Sequence, residues 1–160
     1  MGKSLARVVV RAMFTGKRTN SMDSKGRVAI PAKMRDVLRT NYGPTLMVTR
    51  GLLGSCLWVF PLEEWGALKD RIAESGVSGA RLIRLKRLLY ASAEACEMDK
   101  SGRILIPDNL AIQANLEKEV MFVGMDGHIE VWKPEAWAAE EEQLSEGESA
   151  LLEIVEDIVF

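Results

Sequence analysis

Asp23 and Arg27, four residues apart, return as Asp99 and Arg103, and this doubled pair is the part of the sequence best equipped for chemistry. An aspartate beside a tight turn accepts hydrogen bonds from the turn's own amides. The arginine that follows can pair with that carboxylate, or fork two parallel bonds onto a guanine edge or a phosphate. Spacing alone leaves both roles open. Catalytic chemistry has less to work with. His128 is the only histidine, Cys56 and Cys96 form no CxxC pair, and no nucleophile elbow or glycine-rich phosphate loop occurs. No catalytic residue, cofactor or metal site is therefore expected, and the two thiols are expected to be reduced and largely buried.

The charge around the two pairs differs. Lys17, Arg18 and Lys25 surround Asp23 and Arg27, whereas Lys100 is the only base beside Asp99 and Arg103, with Glu94, Glu97 and Asp108 nearby. Residues 1–90 hold 17 Lys or Arg against 6 Asp or Glu, a net of +11; residues 91–137 come to −5 and residues 138–160 to −8. Such polarity suits a chain in which one region meets a polyanion and another avoids it. The candidate DNA-binding residues are Arg27, Lys25, Asp23, Lys17, Arg18, Arg103, Lys100 and Asp99. The first group is expected to carry most of the binding. The competing reading is that each Asp–Arg pair only ties its turn together.

What positions these residues is a duplication. Asp23 to Pro31 returns 76 residues later as Asp99 to Pro107, with Asp, Gly, Arg, Ile and Pro identical. Met47-Val48 then resembles Phe122-Val123, Leu57 to Phe60 resembles Ile129 to Trp132 at a spacing of 72, and Glu63-Glu64-Trp65 resembles Glu135-Ala136-Trp137. In each copy Gly26 or Gly102 can supply the positive φ of a hairpin turn. The apolar run Val28 to Ile30 predicts a short buried strand, and Pro31 and Pro107 end these strands and open helices over about 32–38 and 108–114. Further strands are expected near 46–49, 56–60, 120–123 and 128–132, with short helices packing Trp65 and Trp137. Residues 78–93 predict a linking helix with Leu82, Leu85 and Leu89 on one side and Arg84 and Arg87 on the other.

Two Asp-x-x-x-Arg turns, each followed by a strand ending in Ile-Pro, resemble the MraZ family, within the wider AbrB-like group. Met13 to Gly16, Thr49 to Gly51, Pro61 to Trp65 and Ala93 to Asp99 are similar to its other signatures. The resemblance implies a mainly β fold with short helices: a pseudo-two-fold swapped-hairpin β-barrel made from two tandem AbrB-like repeats. It also implies a regulator that binds promoter direct repeats in double-stranded DNA, assembles as a homo-oligomeric ring, and usually represses the division and cell-wall gene cluster including its own gene. A ring-forming scaffold or protein-interaction module with a basic face is the alternative.

The resulting division is an extension over residues 1–12, repeat one over 13–65, a helical link over 66–93, repeat two over 94–137, and an acidic tail over 138–160. In the tail, Leu151, Ile154, Val155 and Ile158 recur at helical spacing, so it reads either as an amphipathic docking helix or as a disordered acidic segment. No apolar run approaches a membrane span and no export signal is evident, so a cytoplasmic, nucleoid-associated protein is expected.

Overall fold

The computed structural model describes residues 13–159, and the extension expected over residues 1–12 lies outside them. Copy one runs β1 (Lys17–Ser21), β2 (Arg27–Ala29), α1 (Ala32–Asn41), β3 (Thr45–Arg50), β4 (Cys56–Pro61), α2 (Leu62–Glu74) and α3 (Gly79–Tyr90). Copy two runs β5 (Glu94–Glu97), β6 (Arg103–Leu105), α4 (Asp108–Gln113), β7 (Glu119–Gly124), β8 (Ile129–Trp132), α5 (Pro134–Glu146) and α6 (Glu148–Val159).

The copies interleave. β1 pairs with β7 and β5 with β3, while β4 and β8 join at the centre, giving an antiparallel sheet in the order β1-β7-β8-β4-β3-β5. Exchanging the copies leaves that order unchanged, which is the expected pseudo-two-fold symmetry. β2 and β6 form a separate two-stranded antiparallel ribbon, tied to β1 by an isolated bridge between Met22 and Val28. The interleaved architecture is therefore barrel-like, with hydrogen bonding that is sparse where the ribbon meets the sheet edges.

Matched residues from both copies fill the space between ribbon and sheet. Val28, Ile30, Met34 and Leu38 are buried, and so are Ile104, Ile106, Leu110 and Ala114, each 76 residues on. Pro31 and Pro107 stand at the caps of α1 and α4, where a missing N–H leaves nothing unpaired. The sheet's inner face contributes Leu46, Val48, Leu57 and Val59, and Val120, Phe122, Ile129 and Val131.

Three expectations need correction. Cys96 pairs with Leu46 and Asn20 with Val120, so β3 and β7 are related by 74 residues: Val48 matches Phe122, not Val123. A slip of one residue reverses every side chain in a strand, and a string of apolar residues read alone does not expose the slip. α2 and α5 are also not short. Each has 13 residues, opening with acids in the first turn, Glu63 and Glu64 or Glu135, and continuing through good helix formers. Finally, Cys56 is buried but Cys96 is only half-buried, its thiol against the Leu105 carbonyl at 3.4 Å. The linking helix is present as α3, with Leu89 buried and Arg84 and Arg87 exposed.

Candidate nucleic-acid interface

Each Asp-x-x-x-Arg segment closes on itself in the same way. The Asp23 Oδ1 accepts from the Lys25 and Arg27 amides, both at 2.9 Å, and the Gly26 amide donates to the Asp23 carbonyl at 3.0 Å. In copy two, Asp99 Oδ1 accepts from the Ser101 and Arg103 amides at the same 2.9 Å. Gly26 and Gly102 take φ of +89° and +80°, the region a side chain strains to enter. These amide bonds, from Arg27 or Arg103 first, hold both carboxyls below the usual aspartate range despite some desolvation.

The arginine side chains complete the turn without being used up by it. Arg27 Nε donates to Asp23 Oδ2 at 2.8 Å, and Arg103 Nε to Asp99 Oδ2 at 3.2 Å. The pairing read from sequence as a rival to DNA contact is thus present in both copies. It employs one edge of the guanidinium. Among the described residues neither Arg27 nor Arg103 makes a bond through its terminal nitrogens, so the aspartate aims a fork whose two tines stay available.

The ribbon then sets the two arginines on one face. Val28 pairs with Ile104, and both are 1% exposed, so they face the core. Their neighbours must face out: Arg27 opposite Leu105, and Ala29 opposite Arg103. Arg27 and Arg103 are therefore diagonal neighbours on one outer face, about 7–8 Å apart by strand geometry. The two turns flank this face at opposite ends, each locked to the other copy. Ile30 donates to the Gly102 carbonyl and Ile106 to the Gly26 carbonyl, both at 2.9 Å. Lys25 and Lys100 are exposed at the turn tips.

Lys17 and Arg18 are not part of this cluster. Lys17, on β1, is ion-paired with Glu141 of α5 and lies over the Trp137 ring, 5.9 Å from its centroid. Arg18 lines a shallow cleft with Pro31, Lys33 and Met34. Two arginines that sequence reasoning missed do reach a turn. From α1, Arg35 Nη1 donates to the Ser101 carbonyl at 3.2 Å and Arg39 Nη2 to the Lys100 carbonyl at 3.0 Å. Their four-residue spacing on one helix face was the available signal, but nothing local ties α1 to a turn more than 60 residues away.

Away from the ribbon, the sheet's other face carries an aromatic layer. Trp65 packs on Phe60 and Tyr90, and Trp137 on Trp132. Glu130 is buried there, accepting from the indoles of Trp58 at 2.9 Å and Trp132 at 3.1 Å. Beside it the Cys56 thiol is pushed up to about 12 by burial and by the Glu130 charge, which makes it inert rather than nucleophilic. His128 stacks on Phe60 at 4.7 Å, and its pKa is lowered by burial. No three of His, Cys, Asp and Glu gather into a metal site among the described residues.

A family model described as "MraZ protein, putative antitoxin-like" matches residues 13–85 and again residues 89–153. A protein named transcriptional regulator MraZ from Pediococcus pentosaceus is 38% identical over 147 residues, covering 92% of this chain and 97% of its own. One of the same name from Natranaerobius thermophilus is 37% identical, with the same coverage. Another, from Carboxydothermus hydrogenoformans, is 41% identical over 78% of this chain and 84% of its own length.

Proposed function

The chain belongs to the MraZ family, and from that premise we propose that it is a sequence-specific regulator of transcription that reads double-stranded DNA with the outer face of the β2–β6 ribbon. The observation that carries this reading is the pair of Asp-aimed guanidiniums, Arg27 and Arg103, on one face of a two-stranded ribbon. A major groove about 12 Å wide admits such a ribbon, and each fork is shaped for the O6 and N7 of a guanine. Lys25 and Lys100 flank them as phosphate contacts, and Asp23 and Asp99 act by positioning. Arg18, set back on the sheet edge, adds to the attracting field, and Lys17 beside it would do so once released from Glu141.

The relatives carry a regulator's name, not an enzyme's, and the chain is assigned no catalytic residue, cofactor or metal. Residues 13–65 and 94–137 serve as the two DNA-reading repeats, 66–93 as their helical link and 138–160 as an acidic tail. The likeness to the family supports a homo-oligomeric ring acting on promoter direct repeats, a nucleoid-associated place in the cytoplasm, and repression of a division and cell-wall gene cluster that includes its own gene. A face with so few reading side chains gains affinity when several copies engage a repeated site together. Among the described residues no helix is long and apolar enough to cross a membrane.

The test is a mobility-shift titration on the DNA upstream of its own gene, beside a scrambled fragment of equal length. Preference for the natural fragment, weakening steeply with salt, is expected. Equal binding to both fragments, or none, would leave a scaffold with a basic face as the better reading.

A further inference from the structure

The two turns that the repeat makes alike are given unlike surroundings by the fold. At turn two, Arg35 and Arg39 each bond a turn carbonyl, and the Arg35 stem lies so close over Gly102 that a Cβ there would collide with it. The matching positions of copy two, 76 residues on, are Ala111 and Asn115, so turn one receives no such pair. Lys118 stands at the base of turn one, where the Met22 amide donates to its carbonyl, and Pro44 holds the matching place at turn two. Turn two thus gathers Arg35, Arg39, Lys100 and Arg103 against Asp99, with an open cleft of about 460 Å³ between Arg39 and Lys100. Turn one gathers Lys25 and Arg27 against Asp23, with the Lys118 backbone at its base.

We infer that Arg35 and Arg39 make turn two a DNA-phosphate clamp that turn one lacks, and that this difference gives the pseudo-symmetric protein a single direction along its DNA. The inference rests on the DNA reading proposed above. Each arginine binds the turn through one terminal nitrogen and keeps further N–H donors and its full charge, as a phosphate contact requires. A protein with two equal ends docks equally well either way round. A direct repeat has a direction, and subunits laid along it head to tail need a unique one.

Salt titration and ethylation interference on the upstream DNA test this with the full chain. The unaltered protein should show interfering phosphates at both ends of each repeat. The double variant Arg35→Gln/Arg39→Gln should lose the phosphates held by those two arginines at one end, the same end in every repeat, and keep the one that Lys100 contacts. Its slope of log affinity against log salt should flatten by about 1.8 for each subunit engaged, from about 0.9 per phosphate. Arg35→Lys/Arg39→Lys should keep the slope. Ala111→Arg, which supplies turn one with a base, should steepen the slope by about 0.9 for each subunit engaged and add contacts at the other end. This variant keeps the question open to refutation even where the glutamine pair fails to fold. An unchanged slope in a normally melting glutamine variant, or loss spread equally over both ends, overturns the inference. Absence of binding by the unaltered protein overturns the DNA reading itself, which is a different result.

Discussion

At the residue scale the aspartates, not the arginines, set the geometry. Asp23 and Asp99 have folded pKa values below their unfolded ones, so the turns gain stability above the ordinary aspartate value. That gain is lost as pH falls from about 3.9 through the lower folded values. Protection factors for amide exchange at Arg27 and Arg103, taken against the intrinsic rate at each pH, should therefore hold from neutral pH down to mildly acid conditions and fall only in stronger acid; a fall near pH 6 would show that another group controls the turns. The arginines should matter for recognition. Arg27→Ala and Arg103→Ala are each expected to cost about 1–3 kcal/mol of preference for the correct base. Because Arg35 and Arg39 support turn two, their losses should agree within about threefold in affinity, about 0.65 kcal/mol, less than the tenfold that 1.4 kcal/mol represents. Binding by both variants at two salt concentrations, beside their melting temperatures, decides it. A far larger loss for Arg27 would restore the division of labour that segment charge suggests.

At the element scale the ribbon is three residue pairs long and owes its place to Val28 and Ile104. Ile104→Ala should cost about 2–5 kcal/mol in denaturant unfolding and weaken DNA binding with it. Stability unchanged to within error would mean that the ribbon is held from elsewhere. The aromatic layer makes a separate prediction. His128 has a folded pKa below its unfolded one, so the unfolded chain binds protons first. Stability must then fall as pH drops from about 6.5 through the folded value. His128→Phe should remove that loss, which unfolding curves at pH 7.5 and pH 5 would register; an identical acid-side decline in the variant would assign it to other groups.

For the whole molecule, α6 is the unfinished surface. It is helical, with Leu151, Ile154, Val155 and Ile158 between 45 and 77% exposed and Glu153, Glu156 and Asp157 on the opposite side. An apolar stripe of that size left in water favours association. Removing residues 147–160 should shift the protein to smaller assemblies in light scattering and leave the melting temperature within a few degrees. The same assembly size in both chains would show that α6 takes no part.

Much of this was legible in the residues. The doubled Asp-x-x-x-Arg, the glycines at positive φ, the prolines opening α1 and α4, and the alternation that buries Val28 and Ile104 are local chemistry, set by neighbours within a few positions. The family resemblance stood on the same segments. What the sequence could not settle was everything that depends on which strand meets which. β1 and β5 are short polar strands with no clear alternation, and only their partners β7 and β3 make them strands. The one-residue error between β3 and β7 has the same origin, because register is decided across the ladder. Charge counted along the chain assigned Arg35 and Arg39 to copy one, yet interleaving carries them to the turn of copy two. Electrostatics acts through space over a few ångströms, so the fold, and not the order of residues, decides which charges share a site.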